Sequence, residues 1–97
     1  MDYSKAGIVK NALFNYNELM AMARKGDQTA GIICVDIKRA VHADNVLTFK
    51  QRRYLSLWWQ GFSYVDIGTK YRKSPVAVKL TVDRACKNMS SFLRGKV

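Results

Sequence analysis

The sequence predicts an all-α protein of about five helices, in which an N-terminal helical hairpin precedes a helix-turn-helix. Apolar residues recur at helical spacing, and residues suited to cap a helix separate the apolar stretches. The β-favouring segment 32–35 has no partner strand elsewhere, so we interpret it as helix. The 97 residues can form one compact core. We divide the chain into residues 1–46, a helical pair for support or oligomerisation, and residues 47–97, the helix-turn-helix module.

The first two helices are predicted over residues 3–25 and 27–43. In the first, apolar side chains recur every three or four positions from Ile8 onward, and Gly26 marks its end. Asp27 is the expected N-cap of the second helix. Two roles are open for this pair: contact with a second copy of the chain, or support for the module.

Three further helices follow, each after a Ser or Thr that can act as its N-cap. The third begins after Thr48. A short fourth helix follows Ser63 over about residues 64–71. The fifth follows Ser74 over about residues 75–93, and it starts with the only proline of the chain, which a helix tolerates best at its first position.

The positive charge of the chain is concentrated in its second half. The net charge of the whole chain is +10. Residues 1–46 contain six basic and five acidic side chains and carry +1, whereas residues 47–97 contain eleven basic and two acidic side chains and carry +9. Such a distribution is typical of a protein that binds a polyanion. Taken alone, it also fits a basic face kept for solubility, or attraction to a membrane or an acidic protein.

Two helices joined by a short turn, the second beginning at Ser74, form the pattern of a helix-turn-helix. An α-helix fits the major groove of DNA, and its first turns face the base edges. The apolar stripe from Val78 to Met89 predicts the inner side of the last helix. At about 100° per residue, the opposite side, here called the outer face, consists of Val76, Leu80, Asp83, Arg84 and Lys87.

Residues 47–89 resemble the fourth conserved region of bacterial sigma factors, which reads approximately LT-x-x-Q-R-x-x-L, then G-x-S-x-x-x-I-A, then S-x-x-x-V-K, then R-A. The matching residues are Leu47, Thr48, Gln51, Arg52, Leu55, Gly61, Ser63, Ile67, Ser74, Val78, Lys79, Arg84 and Ala85. The segment 26–46 is similar to small, phage-type, sigma-like regulators, including late-gene regulators of the ArpU kind. The resemblance implies an all-helical protein that binds promoter DNA, with RNA polymerase as a further candidate partner.

Three residues near the turn depart from the family pattern. Gly is usual where Arg72 stands, because that residue is left-handed, a conformation that costs a non-glycine residue about 1 kcal/mol. An apolar side chain is usual where Lys73 stands, so we expect its stem to pack and its ammonium group to reach water or phosphate. Gly68 replaces the usual alanine and allows close packing.

The expected contacts with DNA follow from these positions. Residues on the first turns of the last helix are expected to meet the bases: Pro75, Val76, Ala77, Lys79 and Leu80. Residues at the helix starts, in the turn and farther along the outer face are expected to meet phosphates: Ser63, Tyr64, Arg72, Lys73, Ser74, Arg84 and Lys87. Asp83 is expected to form a salt bridge with Lys79 or Lys87 rather than to accept from a cytosine amine.

We therefore expect a sequence-specific transcription regulator that binds double-stranded DNA, and the resemblance implies a phage-encoded one. Two alternatives remain open: a phage DNA-packaging protein of the small-terminase kind, and a module that binds RNA polymerase or a host factor. An enzyme is not expected, because the chain has one histidine, one glutamate and no glycine-rich phosphate loop. Cys34, His42 and Cys86 would supply only three zinc ligands at unhelpful spacing, so no metal or other cofactor is expected.

The composition predicts a cytoplasmic protein without a membrane partner. The N-terminal residues form no apolar signal region, and no stretch approaches the roughly 20 apolar residues of a membrane span. Cys34 and Cys86 are isolated in sequence and are expected to be reduced and mostly buried. Trp58 is expected in the core. Trp59 is expected at its edge, where it either packs on the N-terminal helices, which we favour, or is exposed for a protein partner.

Overall fold

The structure, a computed structural model that describes residues 6–95, is all-helical over that range, as predicted. Its helices are, in chain order, α1 (Ala6–Phe14), α2 (Tyr16–Arg24), α3 (Gln28–His42), α4 (Phe49–Trp59), α5 (Tyr64–Tyr71) and α6 (Pro75–Leu93). No helix in this range combines the length and the apolar character that crossing a membrane requires.

The number of helices corrects the prediction of about five, because the helix expected over residues 3–25 is divided into α1 and α2 at Asn15. Its expected start at residue 3 lies outside the described residues. Asn15 has φ −99° and ψ 16°, which are not α-helical values. The hydrogen bonds nevertheless continue, since the Asn15 N–H donates to the carbonyl oxygen of Asn11 and the Asn15 carbonyl oxygen accepts from the N–H of Leu19, both at 2.9 Å. The chain therefore bends at Asn15 without an intervening loop.

Packing explains the bend between α1 and α2. α1 packs against α6, whereas α2 packs against α3. Val9 and Leu13 of α1 are buried in the core, while no residue of α2 is fully buried. The bend lets consecutive segments follow two different partners, and asparagine is a weak helix former at which a helix is easily interrupted. The apolar spacing runs on across Asn15, so it gave no sign of the interruption.

The predicted N-caps of α3 to α6 are all present. The Asp27 carboxylate accepts a hydrogen bond from the backbone N–H three residues later, at 3.0 Å. The hydroxyl groups of Thr48, Ser63 and Ser74 accept in the same way at 3.1, 3.0 and 3.1 Å. At Thr48 and Ser63 the side chain three positions on accepts in return from the N–H of the capping residue. These bonds satisfy N–H groups that have no partner within the helix, so the helices begin where the sequence predicts.

One apolar core joins the two halves of the chain. The predicted inner stripe of α6 lies at its centre, and all four of its members, Val78, Val82, Ala85 and Met89, are fully buried. α1, α3, α4 and α5 pack around this stripe. They contribute fully buried apolar side chains, among them Val9, Leu13, Ile37, Leu55 and Ile67. Each such burial stabilises the fold by about 1.5–3 kcal/mol before the opposing entropy is counted.

Both cysteines are free and buried, as predicted. Burial raises the pKa of Cys86 to about 12 and also raises that of Cys34. Because the thiolate is the reactive form of cysteine, both thiols are poor nucleophiles at neutral pH. They therefore act as small apolar side chains of the core.

The turn between α5 and α6 consists of residues 72–74. Arg72 is left-handed, with φ 57° and ψ 45°, as the resemblance implied. Lys73 is exposed, and its N–H donates to the carbonyl oxygen of Gly68 at 2.8 Å. Gly68 is buried, and a Cβ atom added there would overlap the carbonyl oxygen of Lys73. The absence of a side chain at Gly68 thus lets the turn fold back onto α5.

Gly68→Ala is expected to lower the free energy of unfolding by about 1–3 kcal/mol, because the added methyl group would push the turn away from α5. Gly31→Ala is the matched control. Gly31 is also a helical glycine, but a Cβ atom there would lie in ordinary contact, 3.7 Å from the Cβ of Ala23. That variant is expected to gain up to about 1 kcal/mol from helix propensity. Urea unfolding of both variants beside the wild type measures the difference, and equal gains would contradict this description of the turn.

Candidate nucleic-acid interface

The outer face of α6 is open at the start of the helix. All five residues expected to meet bases are exposed: Pro75, Val76, Ala77, Lys79 and Leu80. Val76 and Leu80 are 67% and 49% exposed, which is high for aliphatic side chains. They lie four positions apart and therefore on the same side of the helix. The first turns of α6 thus present an apolar surface of the kind that can contact a thymine methyl group.

The residues expected to meet phosphates fall into three groups: Ser63 and Tyr64 at the start of α5; Arg72, Lys73 and Ser74 in the turn; and Arg84 and Lys87 in the second half of α6. All are exposed except the half-buried Tyr64. The hydroxyl groups of Ser63 and Ser74 already accept the N-cap hydrogen bonds, and their own hydrogens are left as donors. Along α6 the set spans about 20 Å, since a helix rises about 1.5 Å per residue.

Asp83 forms two ion pairs on the outer face. Its Oδ2 atom lies 2.8 Å from the Nζ atom of Lys79, so the predicted salt bridge within α6 is confirmed. Its Oδ1 atom lies 2.9 Å from the Nζ atom of Lys10, which belongs to α1 and was not predicted to take part. Each carboxylate oxygen therefore faces one ammonium group. This arrangement leaves the outer face of α6 with a positive rather than a balanced charge.

The ammonium group of Lys10, which belongs to α1, contacts residues of three other helices, α4, α5 and α6. Besides Asp83, it lies 5.4 Å from the ring centroid of Tyr64 and 5.6 Å from that of Trp58. Burial disfavours the charged forms of Lys10 and Asp83. Their contacts favour the charged forms more strongly than burial disfavours them. Hydrogen bonds from Lys79 and Lys10 lower the pKa of Asp83, while the contact with Tyr64 and the hydrogen bond to Asp83 raise the pKa of Lys10. The side chain of Tyr64 is thus placed beside Lys10, which adds a cation near its expected phosphate contact.

A second group of cations surrounds the aromatic rings where α4 and α5 meet. The guanidinium carbon of Arg53 lies 4.5 Å from the ring centroid of Phe49 and 5.4 Å from that of Tyr71. The ammonium groups of Lys50 and Lys70 lie 5.6 Å and 5.7 Å from the rings of Tyr54 and Tyr71. We call Phe49, Lys50, Arg53, Lys70 and Tyr71 the aromatic-basic patch. It adjoins the turn, because Tyr71 directly precedes Arg72 in the chain.

The aromatic-basic patch was not predicted from the sequence. Part of it could have been found, since Phe49 and Arg53 lie four positions apart on one predicted helix. The contact of Arg53 with Tyr71 depends on how α4 packs against α5, which no local pattern shows.

A third surface is aromatic and lies where α1 and α2 meet α4. Trp59 packs edge-on against Tyr16, with ring centroids 5.0 Å apart, so its predicted contact with the N-terminal helices is confirmed. Trp58 is half-buried and packs at the border of the core rather than inside it. Phe14 and Phe62 are 80% and 48% exposed and line the same groove. This surface does not include the predicted DNA-contacting positions other than Ser63 at its rim.

The described residues contain no group of three or more His, Cys, Asp or Glu side chains close enough to hold a metal ion. A comparison of the chain with protein families, with curated proteins and with solved structures finds no match. Function is therefore inferred from the chemistry of the outer face of α6, the aromatic-basic patch and the aromatic surface.

Asp83→Asn is expected to lower the free energy of unfolding at pH 7 by about 0.5–1 kcal/mol, a range that allows for the partial exposure of both ion pairs. Because the pKa of Asp83 is depressed in the folded state, its stabilising effect is present above its ordinary pKa near 3.8 and is lost as the pH falls below it. The variant should therefore lose less stability than the wild type between pH 6 and pH 3.

Thermal unfolding followed by circular dichroism over that pH range measures this effect. Asp44→Asn, which removes one exposed carboxylate from the loop before α4, is the control for the change in net charge. Parallel acid profiles for wild type and Asp83→Asn would show that the two ion pairs contribute nothing.

Proposed function

We propose that the protein is a sequence-specific transcription regulator that binds double-stranded DNA, with α6 in the major groove. The observation that carries this proposal is the outer face of α6. Exposed apolar residues occupy its first two turns, while cations lie in the preceding turn and farther along the same helix. Base edges and thymine methyl groups lie inside the major groove and phosphates line its rims, so this order of groups fits the groove.

The charge distribution supports the same partner. Residues 47–97 carry +9, and every cation expected to meet phosphate is exposed. Asp83 is the one acid on the outer face, and it is held between Lys10 and Lys79. Its charge is thus compensated within the protein, which reduces its repulsion of a nearby phosphate group.

The likeness of residues 47–89 to the fourth conserved region of sigma factors supports promoter DNA as the target and RNA polymerase as a further partner. A phage-encoded regulator of this kind acts in the bacterial cytoplasm.

In the structure α1 packs against α6, and Ile32 and Val35 of α3 are exposed. Those two residues suit contact with a second copy, and a dimer would present two α6 helices to two half-sites.

A second candidate function is a protein-binding module. The observation that favours it is the aromatic surface, on which Phe14 and Phe62 are exposed beside the two tryptophans. Exposed aromatic residues are enriched where proteins bind one another. The two functions use different surfaces, so Phe14→Ala should leave DNA binding unchanged while it weakens binding to RNA polymerase in a pull-down with the purified enzyme.

The wild-type protein is expected to bind duplex DNA with an association constant that falls steeply as the salt concentration rises. Each lysine or arginine side chain that binds a phosphate group releases counterions from the DNA. It adds about −0.9 to the slope of log K, the association constant, against log salt concentration. Fluorescence anisotropy of a labelled duplex measures the slope. Selection of bound sequences from random DNA then gives the operator, in which a palindrome indicates a dimer and a single short box indicates a monomer. Lack of binding at low salt, or binding that salt does not weaken, would contradict the proposal.

Leu80→Ala is expected to reduce the preference for the selected sequence over random duplex by about 5- to 10-fold, the size of one lost base contact. Lys87→Ala is the matched control. Lys87 lies on the outer face and is exposed, but its expected contact is a phosphate, so it should weaken binding to both duplexes alike. Competition binding with the two duplexes makes the comparison. If Leu80→Ala weakened both by the same factor, the orientation assigned to α6 would be wrong.

A further inference from the structure

Arg53 lies against aromatic rings, and within the described part of the chain it forms no salt bridge with an acidic group. Its guanidinium carbon lies 4.5 Å and 5.4 Å from the ring centroids of Phe49 and Tyr71. Within residues 6–95 the salt bridges are formed by Lys10, Arg39 and Lys79, and Arg53 takes part in none of them. No carboxylate among residues 6–95 therefore compensates the charge of Arg53, although its side chain is already restrained by ring contacts.

This arrangement prepares Arg53 for an anion. Contact with aromatic rings engages the flat face of a guanidinium group and leaves the N–H edges as donors. Those edges form a fixed fork that matches two oxygens of a phosphate group. Phe49 is 76% exposed, so its contact with Arg53 lies at the surface, where a ligand can reach it. Lys50 and Lys70 add two further cations to the same patch.

The position of the aromatic-basic patch relates it to α6. Tyr71 is the last residue of α5, and the turn of residues 72–74 leads directly into α6. Arg53 consequently lies beside the end of the helix that precedes α6. A DNA strand that borders the groove occupied by the start of α6 would pass this side of the molecule, because phosphates line the rim of the groove.

We propose that the aromatic-basic patch is a phosphate-binding site for the DNA backbone, in which Arg53 donates two hydrogen bonds to one phosphate group and Lys50 and Lys70 extend the contact along the strand. This proposal rests on the proposed function and adds a contact outside the outer face of α6. The site recognises phosphate without regard to base sequence. It anchors the duplex on the α4 side of the turn, while α6 contacts the bases.

The test compares Arg53→Gln with Arg52→Gln by anisotropy, using a labelled random-sequence duplex over a range of salt concentrations. Both arginines are exposed on α4, but the Arg52 guanidinium donates to the carbonyl oxygen of Ala43 at 3.3 Å, on the side of the α3–α4 loop. Arg53→Gln is expected to make the slope of log K against log salt shallower by about 0.9, the contribution of one phosphate contact. Arg52→Gln should leave the slope near the wild-type value.

Two further variants separate charge from geometry. Arg53→Lys keeps the charge and should keep the slope, yet bind more weakly at every salt concentration because it lacks the fork. Phe49→Leu should weaken binding in the same way, since it removes the ring that restrains Arg53. Unchanged thermal unfolding of each variant confirms that the fold is kept.

The failures can be told apart. If the wild type does not bind duplex DNA at low salt, both this proposal and the proposed function are overturned. If the wild type binds with a steep salt dependence and Arg53→Gln behaves like Arg52→Gln, the phosphate site is overturned and DNA binding by α6 stands.

Discussion

The burial of the inner stripe of α6 is the constraint on which the rest of the structure depends. Four other helices pack around its fully buried residues, which extend from Val78 to Met89. A rotation of α6 about its axis would expose these side chains at a cost of about 1.5–3 kcal/mol for each large one. The direction of the outer face is therefore fixed by the core. A helix that contacts bases needs this property, because base contacts depend on the orientation of each side chain.

The core determines the direction of the outer face, while the turn and the ion pairs determine the charges around it. The close approach at Gly68 lets Arg72 and Lys73 stand immediately before α6, so that two exposed cations precede its apolar start. The contact of Lys10 with Asp83 ties α1 to the outer face and compensates its one acid. The N-terminal helices thus contribute to the electrostatics of the proposed interface as well as to its support.

The sequence predicts those features whose causes are local. The N-caps and the exposure of Val76 and Leu80 follow from capping chemistry and helical periodicity, and the structure has them as expected. The bend at Asn15 could not be predicted, because it depends on the different partners of α1 and α2. The same holds for the contact of Lys10 with Asp83, 73 positions away in the chain. The contacts of Arg53 are predictable only in part. Its spacing from Phe49 is visible in the sequence, but its contact with Tyr71 is not.

The central claim is that α6 and its neighbouring cations form the DNA-binding surface. A titration of ¹⁵N-labelled protein with duplex DNA, followed through the backbone amide signals, tests it most directly. The largest changes in amide chemical shift are expected over residues 72–87, with smaller changes over residues 49–53. The amide signals of α2 and α3 are expected to keep their positions. Changes concentrated in α2, α3 or the aromatic surface around Phe14 and Phe62, with the start of α6 unaffected, would contradict the account.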